Sequence, residues 1–296
     1  MKVQNSFSDK VSDSGIIYVV PTPIGNLEDI TFRALNTLKN VSVIAAEDTR
    51  NTKKLLHYFE ISVPLVSYHE HNKQARENQL IERVQSGDSI AIVSDAGMPA
   101  ISDPGYELVK AAIEHDIKVV VLPGANAALC ALVGSGLPAD EFYFYGFLPR
   151  KKKEKEAELQ RLKHIQATLL FYESPYRVKD TLNILYKILG NRKVVAAREL
   201  TKRFEEFVRG TLEELIEWID NRELKGEFCL VIEGNDKAET EQDLSFWWNE
   251  LSIVEHVEYY TIEKSLTNKE AIKQVSIDRK IPKREVYQSY HIENKQ

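Results

Sequence analysis

The chain has 296 residues, enough for two domains that each bury a core, and its 43% apolar and 28% charged residues are typical of a globular protein. No apolar run is long enough to span a bilayer, and the first 14 residues lack the apolar core of a signal peptide, which argues against a membrane protein and predicts a cytoplasmic one. The net charge of −6 argues against nonspecific nucleic-acid binding but leaves room for a local basic surface.

The first half of the chain alternates short apolar runs with amphipathic segments. We expect residues 1–14 to be a disordered extension. Strand-like runs then occupy 16–20, 41–46, 63–68, 89–94 and 118–123. Helical patterns lie between them, and Asp103 followed by Pro104 is typical of a helix start. β-branched runs separated by helices predict an α/β domain, 15–135, with a buried and mostly parallel sheet.

The second half has a different organisation. The breaker-rich stretch LVGSGLPADE (132–141) predicts a boundary to a second, mixed α/β domain, 136–235. Its strand-like runs are 141–148, 167–173, 194–200, 204–210 and 227–234. The short gap between the third and fourth runs favours an antiparallel pair. A polar linker leads to a small helical segment, 245–296, that resembles a helix-turn-helix and has Thr267 and Glu270 spaced as a capping box.

Missing motifs exclude several kinds of site. The loop after the first strand carries Pro21 and Pro23 where nucleotide-binding loops carry glycines. No G-x-G-x-x-G follows that strand and no G-x-x-x-x-G-K-[ST] occurs, which excludes an ordinary dinucleotide site and a P-loop. The triplet HEH (69–71) lacks a third nearby ligand, so we expect no metal site.

Three loops at the predicted carboxyl edge of the sheet are candidates for ligand binding, since open α/β folds bind ligands there. They are AAEDTRNTKK (45–54), SDAGMPAISDPG (94–105) and VLPGANAALCAL (121–132). Such residues also build ordinary loops, but the density of aspartates and small residues favours function. Loops rich in proline and carbonyl groups suit a ligand with a cationic or neutral face better than a pyrophosphate. S-adenosylmethionine is such a ligand.

Seven motifs follow one another in order between residues 15 and 234: VPTPIGNLEDIT, AAEDTR, SDAGMPAISDPG, LPGANA, GFLPRK, FYESPYR and ARELTK. With them the chain resembles the tetrapyrrole-methylase superfamily of S-adenosylmethionine-dependent methyltransferases. Within it, the motifs are similar to those of the bacterial enzymes that methylate a cytidine 2′-hydroxyl of 16S ribosomal RNA. The resemblance implies two α/β domains with S-adenosylmethionine in the cleft between them, a homodimer, and 16S ribosomal RNA, within the small ribosomal subunit, as the partner.

The resemblance also implies cofactor-binding residues, position by position. They are Pro23, Ile24, Asp95, Gly97, Met98, Ala125, Asn126, Tyr172 and Ala197. It transfers no catalytic base, so that assignment comes from chemistry: a ribose hydroxyl is a poor nucleophile until a base removes its proton. The candidates are Glu47, Asp48, His69 and Glu199. We favour the carboxylates of AEDTR as the catalytic groups, Glu47 and Asp48, with Arg50 holding a phosphate.

Two basic stretches predict the RNA contacts. Residues 150–163 include seven basic and three acidic side chains, and residues 264–284 include seven basic and two acidic ones. We expect phosphate contacts from Arg150, Lys151, Lys152, Lys153, Lys283 and Arg284. Solvated helix faces are the alternative explanation of these stretches. For the whole protein, the alternatives are a tetrapyrrole (precorrin-type) methylase, a diphthine synthase-like protein methyltransferase and a non-catalytic RNA-binding module.

Overall fold

The computed structural model describes residues 3–6, 14–69, 72–220, 222–235, 248, 251–264 and 266–293. They divide into two units, 1–236 and 237–296. The first unit contains both predicted α/β domains, so the boundary predicted at residue 135 stays a prediction. None of the described helices is long and apolar enough to cross a membrane.

The first half of the larger unit is built on a parallel sheet, as the sequence predicts. Its strands are β1 (Ile16–Val19), β2 (Val43–Ala46), β3 (Leu65–Ser67), β4 (Ile90–Val93) and β5 (Lys118–Val121), in the order β3-β2-β4-β1-β5. All neighbouring strands run parallel. The helices are α1 (Phe32–Asn40), α2 (Thr49–Tyr58), α3 (Lys73–Gln85) and α4 (Tyr106–Glu114). Every residue of β2 and β4 is buried, because apolar clusters pack on both faces of the sheet.

The helix start expected at Asp103 and Pro104 is wrong. Helix α4 begins at Tyr106, after an N-cap at Gly105 that makes no side-chain capping bond. Asp103 therefore does not serve as the cap, and its carboxyl group faces the cavity described below.

The second half of this unit follows helix α5 (Ala127–Ser135) and has α/β structure, as predicted, with a sheet that mixes parallel and antiparallel strands. Its strands are β6 (Phe142–Phe147), β7 (Thr168–Glu173), β8 (Lys193–Arg198), β9 (Glu206–Thr211) and β10 (Phe228–Ile232), in the order β6-β7-β10-β8-β9. The expected antiparallel pair is confirmed as β8 and β9, whereas β6 and β7 are parallel. The remaining helices are α6 (Lys152–Leu162), α7 (Val178–Leu189) and α8 (Leu212–Asp220).

The smaller unit is helical, with α9 (Ile253–Ile262), α10 (Asn268–Asp278) and α11 (Lys283–Glu293). Thr267 and Glu270 form the expected capping box at the start of α10. In its interior, Arg279 Nε donates to His256 Nδ1 at 3.1 Å, and the Arg279 guanidinium also donates to the carbonyl of Leu251. Burial, followed by the charge of Arg279, lowers the pKa of His256 to about 4. A neutral imidazole therefore lies inside this unit near neutral pH.

Part of the expected disordered extension, residues 1, 2 and 7–13, lies outside the described residues. Gln4 is described, and its side-chain amide makes two hydrogen bonds to the backbone of Val119 in β5. Gln4 Nε2 donates to the carbonyl at 2.7 Å, and Gln4 Oε1 accepts from the N–H at 3.0 Å. Because β5 is an edge strand, these bonds satisfy backbone groups that would otherwise face outward.

Candidate functional site

A cavity of about 380 Å³ lies where the loops after β2, β4 and β5 meet the second sheet. Most of the cofactor residues expected from the sequence line it: Ile24, Asp95, Gly97, Met98, Asn126, Tyr172 and Ala197. Pro23 and Ala125 adjoin lining residues in the chain but do not line the cavity themselves. The geometry thus gathers residues from both halves of the larger unit, while their roles stay predictions.

The proline-containing loop after β1 is joined to the loop after β4. Thr22 and Gly97 exchange backbone hydrogen bonds, with both N···O distances at 2.9 Å. Gly97 has a φ of 80°, and a Cβ there would lie 3.2 Å from Ile24 Cγ2. Glycine is needed at this position because an L side chain would be strained and would crowd the cavity wall.

Three carboxyl groups meet on one side of the cavity: those of Glu47, Asp95 and Asp103. Both Asp95 oxygens accept hydrogen bonds, Oδ1 from the amide of Asp48 at 3.1 Å and Oδ2 from Asn51 Nδ2 at 3.0 Å. Glu47 Oε2 lies 3.5 Å from the backbone nitrogen of Asp95. These contacts fix Glu47 and Asp95 at the carboxyl edge of the parallel sheet, and Asp103 lines the cavity with them.

Crowding changes the acidity of this cluster. Burial raises the pKa of Asp103 to about 7, and the charges of Glu47 and Asp95 act in the same direction. Burial also raises the pKa of Glu47, with further contributions from the charges of Asp95 and Asp48. A partly buried cluster of like charges is unfavourable by itself, and a bound cation would relieve it. The acidic side of the cavity therefore fits a cationic ligand.

Only one of the three AEDTR residues expected to be catalytic faces the cavity. Glu47 lines it, whereas Asp48 caps α2 and binds Arg50, whose Nη2 lies 2.6 Å from Asp48 Oδ2. The hydrogen bonds from Arg50 lower the pKa of Asp48 to about 2. The Arg50 side chain is 86% exposed. Asp48 is thus a weakly basic carboxylate that does not line the cavity.

The opposite wall of the cavity comes from adjacent strands of the second sheet. Cys229 of β10 is paired with Tyr172 of β7 on one side and with Ala197 of β8 on the other, which forms a row of side chains on one face. The Tyr172 hydroxyl accepts a hydrogen bond from the amide of Ala128 at 3.1 Å. Burial raises the pKa of Tyr172 to about 12, so it stays neutral. This row offers a flat and largely apolar surface.

A turn between β8 and β9 completes the cavity. Lys202 lines it, but its ammonium group binds Glu199 at 2.9 Å and Glu227 at 3.1 Å. Burial acts to raise the pKa of Glu199, yet the hydrogen bond from Lys202 and the Glu227 amide bring it below its ordinary value. The Thr201 hydroxyl accepts a hydrogen bond from the amide of Asn26 at 3.0 Å. This bond joins the proline-containing loop to the second half of the unit.

The residues expected to bind RNA lie on exposed helix starts. Arg150, Lys151, Lys152 and Lys153 are exposed at the beginning of α6, and Lys283 and Arg284 are exposed in the first turn of α11, in the smaller unit. Lys155, from the same basic stretch, is instead 3% exposed, and its Nζ donates to Thr181 Oγ1 at 2.7 Å.

Comparison with known proteins matches residues 16–216 to the family of tetrapyrrole (corrin/porphyrin) methylases. A Bacillus subtilis (strain 168) protein named ribosomal RNA small subunit methyltransferase I is 56% identical over 99% of each chain. A Halalkalibacterium halodurans protein of the same name is 57% identical over 99% of this chain and 100% of its own.

Solved structures support the fold. Uroporphyrin-III C-methyltransferase from Thermus thermophilus, complexed with S-adenosyl homocysteine, is 20% identical with a TM-score of 0.53; the match covers 74% of this chain and 97% of that one. A diphthine synthase structure is 14% identical with a TM-score of 0.58 and covers 74% of this chain and 90% of its own. The chain belongs to the tetrapyrrole methylase family and groups there with the ribosomal RNA small subunit methyltransferases I.

Proposed function

We propose that this protein is an S-adenosylmethionine-dependent methyltransferase that modifies the 2′-hydroxyl of a cytidine in 16S ribosomal RNA. The observation that carries the proposal is the cavity, which has an acidic cluster on one side and a flat apolar row on the other. S-adenosylmethionine combines cationic groups with a flat adenine, so it matches both sides. The names of the relatives at 56% and 57% identity supply the class of RNA.

Different cavity residues would bind different parts of this cofactor. Asp95, Gly97 and Met98 would hold its methionine part, and Tyr172 and Ala197 would flank its adenine. When bound, S-adenosylmethionine supplies a methyl group on a sulfonium, which is a good leaving group. The protein then has to hold the attacking hydroxyl in line and exclude water, and such orientation supplies about 7–11 kcal/mol of the barrier.

Among the carboxylates of AEDTR, Glu47 is the better base for the ribose hydroxyl. It lines the cavity, and burial raises its pKa, so its carboxylate holds a proton more readily than an ordinary glutamate. Asp48 is a poor base because Arg50 holds its pKa at about 2. Arg50 is exposed in the first turn of α2, three residues after Glu47, and its role in this proposal is to bind a phosphate of the RNA.

The RNA would be held by the exposed cations of α6 and α11, with the small ribosomal subunit as the substrate. The family resemblance suggests a homodimer and domains bounded near residues 135 and 235, and a ribosomal substrate suggests a cytoplasmic location. Light scattering at micromolar concentration should give twice the mass of one chain. The mass of a single chain would contradict the dimer.

The function can be tested with small ribosomal subunits from cells that lack this protein. Purified protein and methyl-labelled S-adenosylmethionine should label 16S ribosomal RNA, and mapping should place the label on one cytidine 2′-hydroxyl. Glu47→Gln should lower kcat by about 10²–10⁴-fold, while Asp48→Asn, the neighbouring control, should have a much smaller effect. Label on a base, or no label on RNA, would refute the proposed reaction.

A further inference from the structure

An exposed aromatic side chain stands at the cavity without a role in the function described so far. Phe147, the last residue of β6, lines the cavity and is 53% exposed. Its ring centroid lies 5.5 Å from that of Tyr172, at an interplanar angle of 59°. One edge of the ring is therefore packed, and the rest of this large apolar group faces solvent at the cavity.

A bulge in β6 directs Phe147 to this face. Phe144 is paired with Leu170 and Phe147 with Tyr172. Two residues of β6 therefore lie between the phenylalanines, where β7 has only one between their partners. Gly146, which lies at the bulge, has a φ of 81°, a conformation that glycine adopts readily. Without the extra residue, Phe147 would point to the opposite face of the sheet, because side chains alternate along a strand. The backbone irregularity thus exposes a phenylalanine inside the functional cleft.

The segment after Phe147 places several positive charges at the N-terminus of helix α6. Arg150, Lys151, Lys152 and Lys153 lie at the start of α6, and the N-cap residue makes no side-chain capping bond. Cations are unfavourable at a helix N-terminus, where the helix dipole is already positive. Lys151 pairs with Glu154 at 2.9 Å, so a polyanion would compensate chiefly the charges of Arg150, Lys152 and Lys153, and it would come within a few residues of the Phe147 ring.

Side chains of the second sheet and of α6 and α7 hold the turn between β6 and α6 in place. Arg177 Nη2 donates to the carbonyl of Leu148 at 2.6 Å, and Arg177 Nε lies 3.2 Å from Glu173 Oε1. Glu173 is buried and accepts a hydrogen bond from Thr181 at 2.6 Å, and Thr181 in turn accepts one from Lys155 at 2.7 Å. The network fixes the backbone between the ring and the cations, as expected for a preorganised binding surface.

We propose that Phe147 stacks against a base of the substrate RNA next to the site of methyl transfer, while the cations at the start of α6 bind the adjoining phosphates. The inference rests on the proposed function and adds a specificity-determining residue to it. Bases of single-stranded RNA are commonly held by stacking on aromatic side chains beside a positively charged surface. Stacking next to the cavity would restrain the ribose that carries the reacting hydroxyl.

The test compares Phe147→Leu with Phe147→Tyr and with Phe142→Leu. Phe142 begins the same strand and is 44% exposed, but it does not line the cavity and lies about 17 Å away along β6. Methylation of small ribosomal subunits gives KM and kcat, and calorimetry with S-adenosylhomocysteine reports the cofactor site. Phe147→Leu should raise the KM for the subunit by about tenfold or more, with tyrosine restoring it and Phe142→Leu leaving it unchanged.

The affinity for S-adenosylhomocysteine should change by less than about twofold in all three variants, because leucine and tyrosine keep an apolar side chain beside Tyr172 and the main loss is the contact with RNA. Weaker S-adenosylhomocysteine binding with an unchanged KM would make Phe147 part of the cofactor wall and overturn the inference. Unchanged values of both would also overturn it. A Phe147→Trp variant gives a further readout: RNA should quench its fluorescence more than that of the wild-type protein, which has three tryptophans elsewhere in the chain. Failure of the wild-type protein to methylate the subunit would instead refute the proposed function.

Discussion

Asp103 should make the binding of S-adenosylmethionine depend on pH. Its carboxyl group shares the cavity with Glu47 and Asp95, and burial raises its pKa to about 7. A cationic ligand favours the ionised form, so binding lowers this pKa and releases a proton wherever the free protein is protonated. The affinity should therefore rise with pH up to about neutrality and level off above it.

The size of the effect follows from the ionised fraction. If only ionised Asp103 binds, that fraction falls from about 0.9 near pH 8 to about 0.09 near pH 6, so the Kd should rise about tenfold. Asp103→Asn should remove most of the pH dependence, the remainder coming from Glu47, whose pKa is also raised. It should weaken binding near pH 8 by about 10–100-fold, the value of a hydrogen bond to a charged group. Glu47→Gln is the matched control: it removes a neighbouring charge, so the profile should move to lower pH and persist.

Calorimetry in two buffers of different ionisation enthalpy measures both the Kd and the protons released. A Kd for the wild-type protein that is equal near pH 6 and pH 8, or a pH dependence of the same size in Asp103→Asn, would refute the reasoning. Thermal unfolding offers an independent check. Because the folded pKa lies above the unfolded one, this group costs stability as the pH rises from about 4 to 7, so Asp103→Asn should stabilise the ligand-free protein near pH 8.

Three further predictions concern other parts of the molecule. Gly97→Leu should abolish cofactor binding in calorimetry. The φ of 80° at Gly97 and the nearby cavity wall leave no room for a side chain. Binding like that of the wild type would place the cofactor elsewhere. Lys155→Met should lower the free energy of unfolding by about 1–3 kcal/mol, because it leaves the buried partners of Lys155 unsatisfied. Lys152→Met on the same helix should change that free energy by less than about 0.5 kcal/mol. Equal effects of the two substitutions in denaturant unfolding would contradict this. The pKa of His256 is about 4 in the folded protein, so the helical unit should lose stability as the pH falls from about 6.5 towards 4. A helix signal in circular dichroism whose thermal stability stays constant over this pH range would argue against a buried neutral imidazole.

Periodicity and loop composition predicted most of the fold and much of the candidate site. The parallel sheet followed from β-branched runs separated by helices, and the antiparallel β8–β9 pair followed from a three-residue connection. The loops that line the cavity could be located because parallel strands end at a common edge. Asp95 and Gly97 therefore lie at one cavity, as loop composition predicted, and Tyr172, which only the family resemblance implied, lines the same cavity.

What the sequence could not supply is the direction of individual side chains. Asp48 and Glu47 are neighbours, yet one caps a helix and binds Arg50 while the other faces the cavity. Asp103 looked like a helix cap because proline follows it, but the helix starts two residues later and frees the carboxyl group. Lys155 lies within a basic stretch, and only packing of α6 shows it to be buried. The bulge that directs Phe147 to the cavity leaves only Gly146 as a signal in the sequence.

The acidic cluster has a consequence for turnover in the proposed reaction. Transfer of the methyl group removes the positive charge from sulfur, while Glu47, Asp95 and Asp103 keep their places in the cavity. The spent cofactor is therefore held by one charge interaction fewer than the fresh one. S-adenosylhomocysteine should therefore bind more weakly than S-adenosylmethionine, which favours exchange of the spent cofactor for a fresh one between successive subunits.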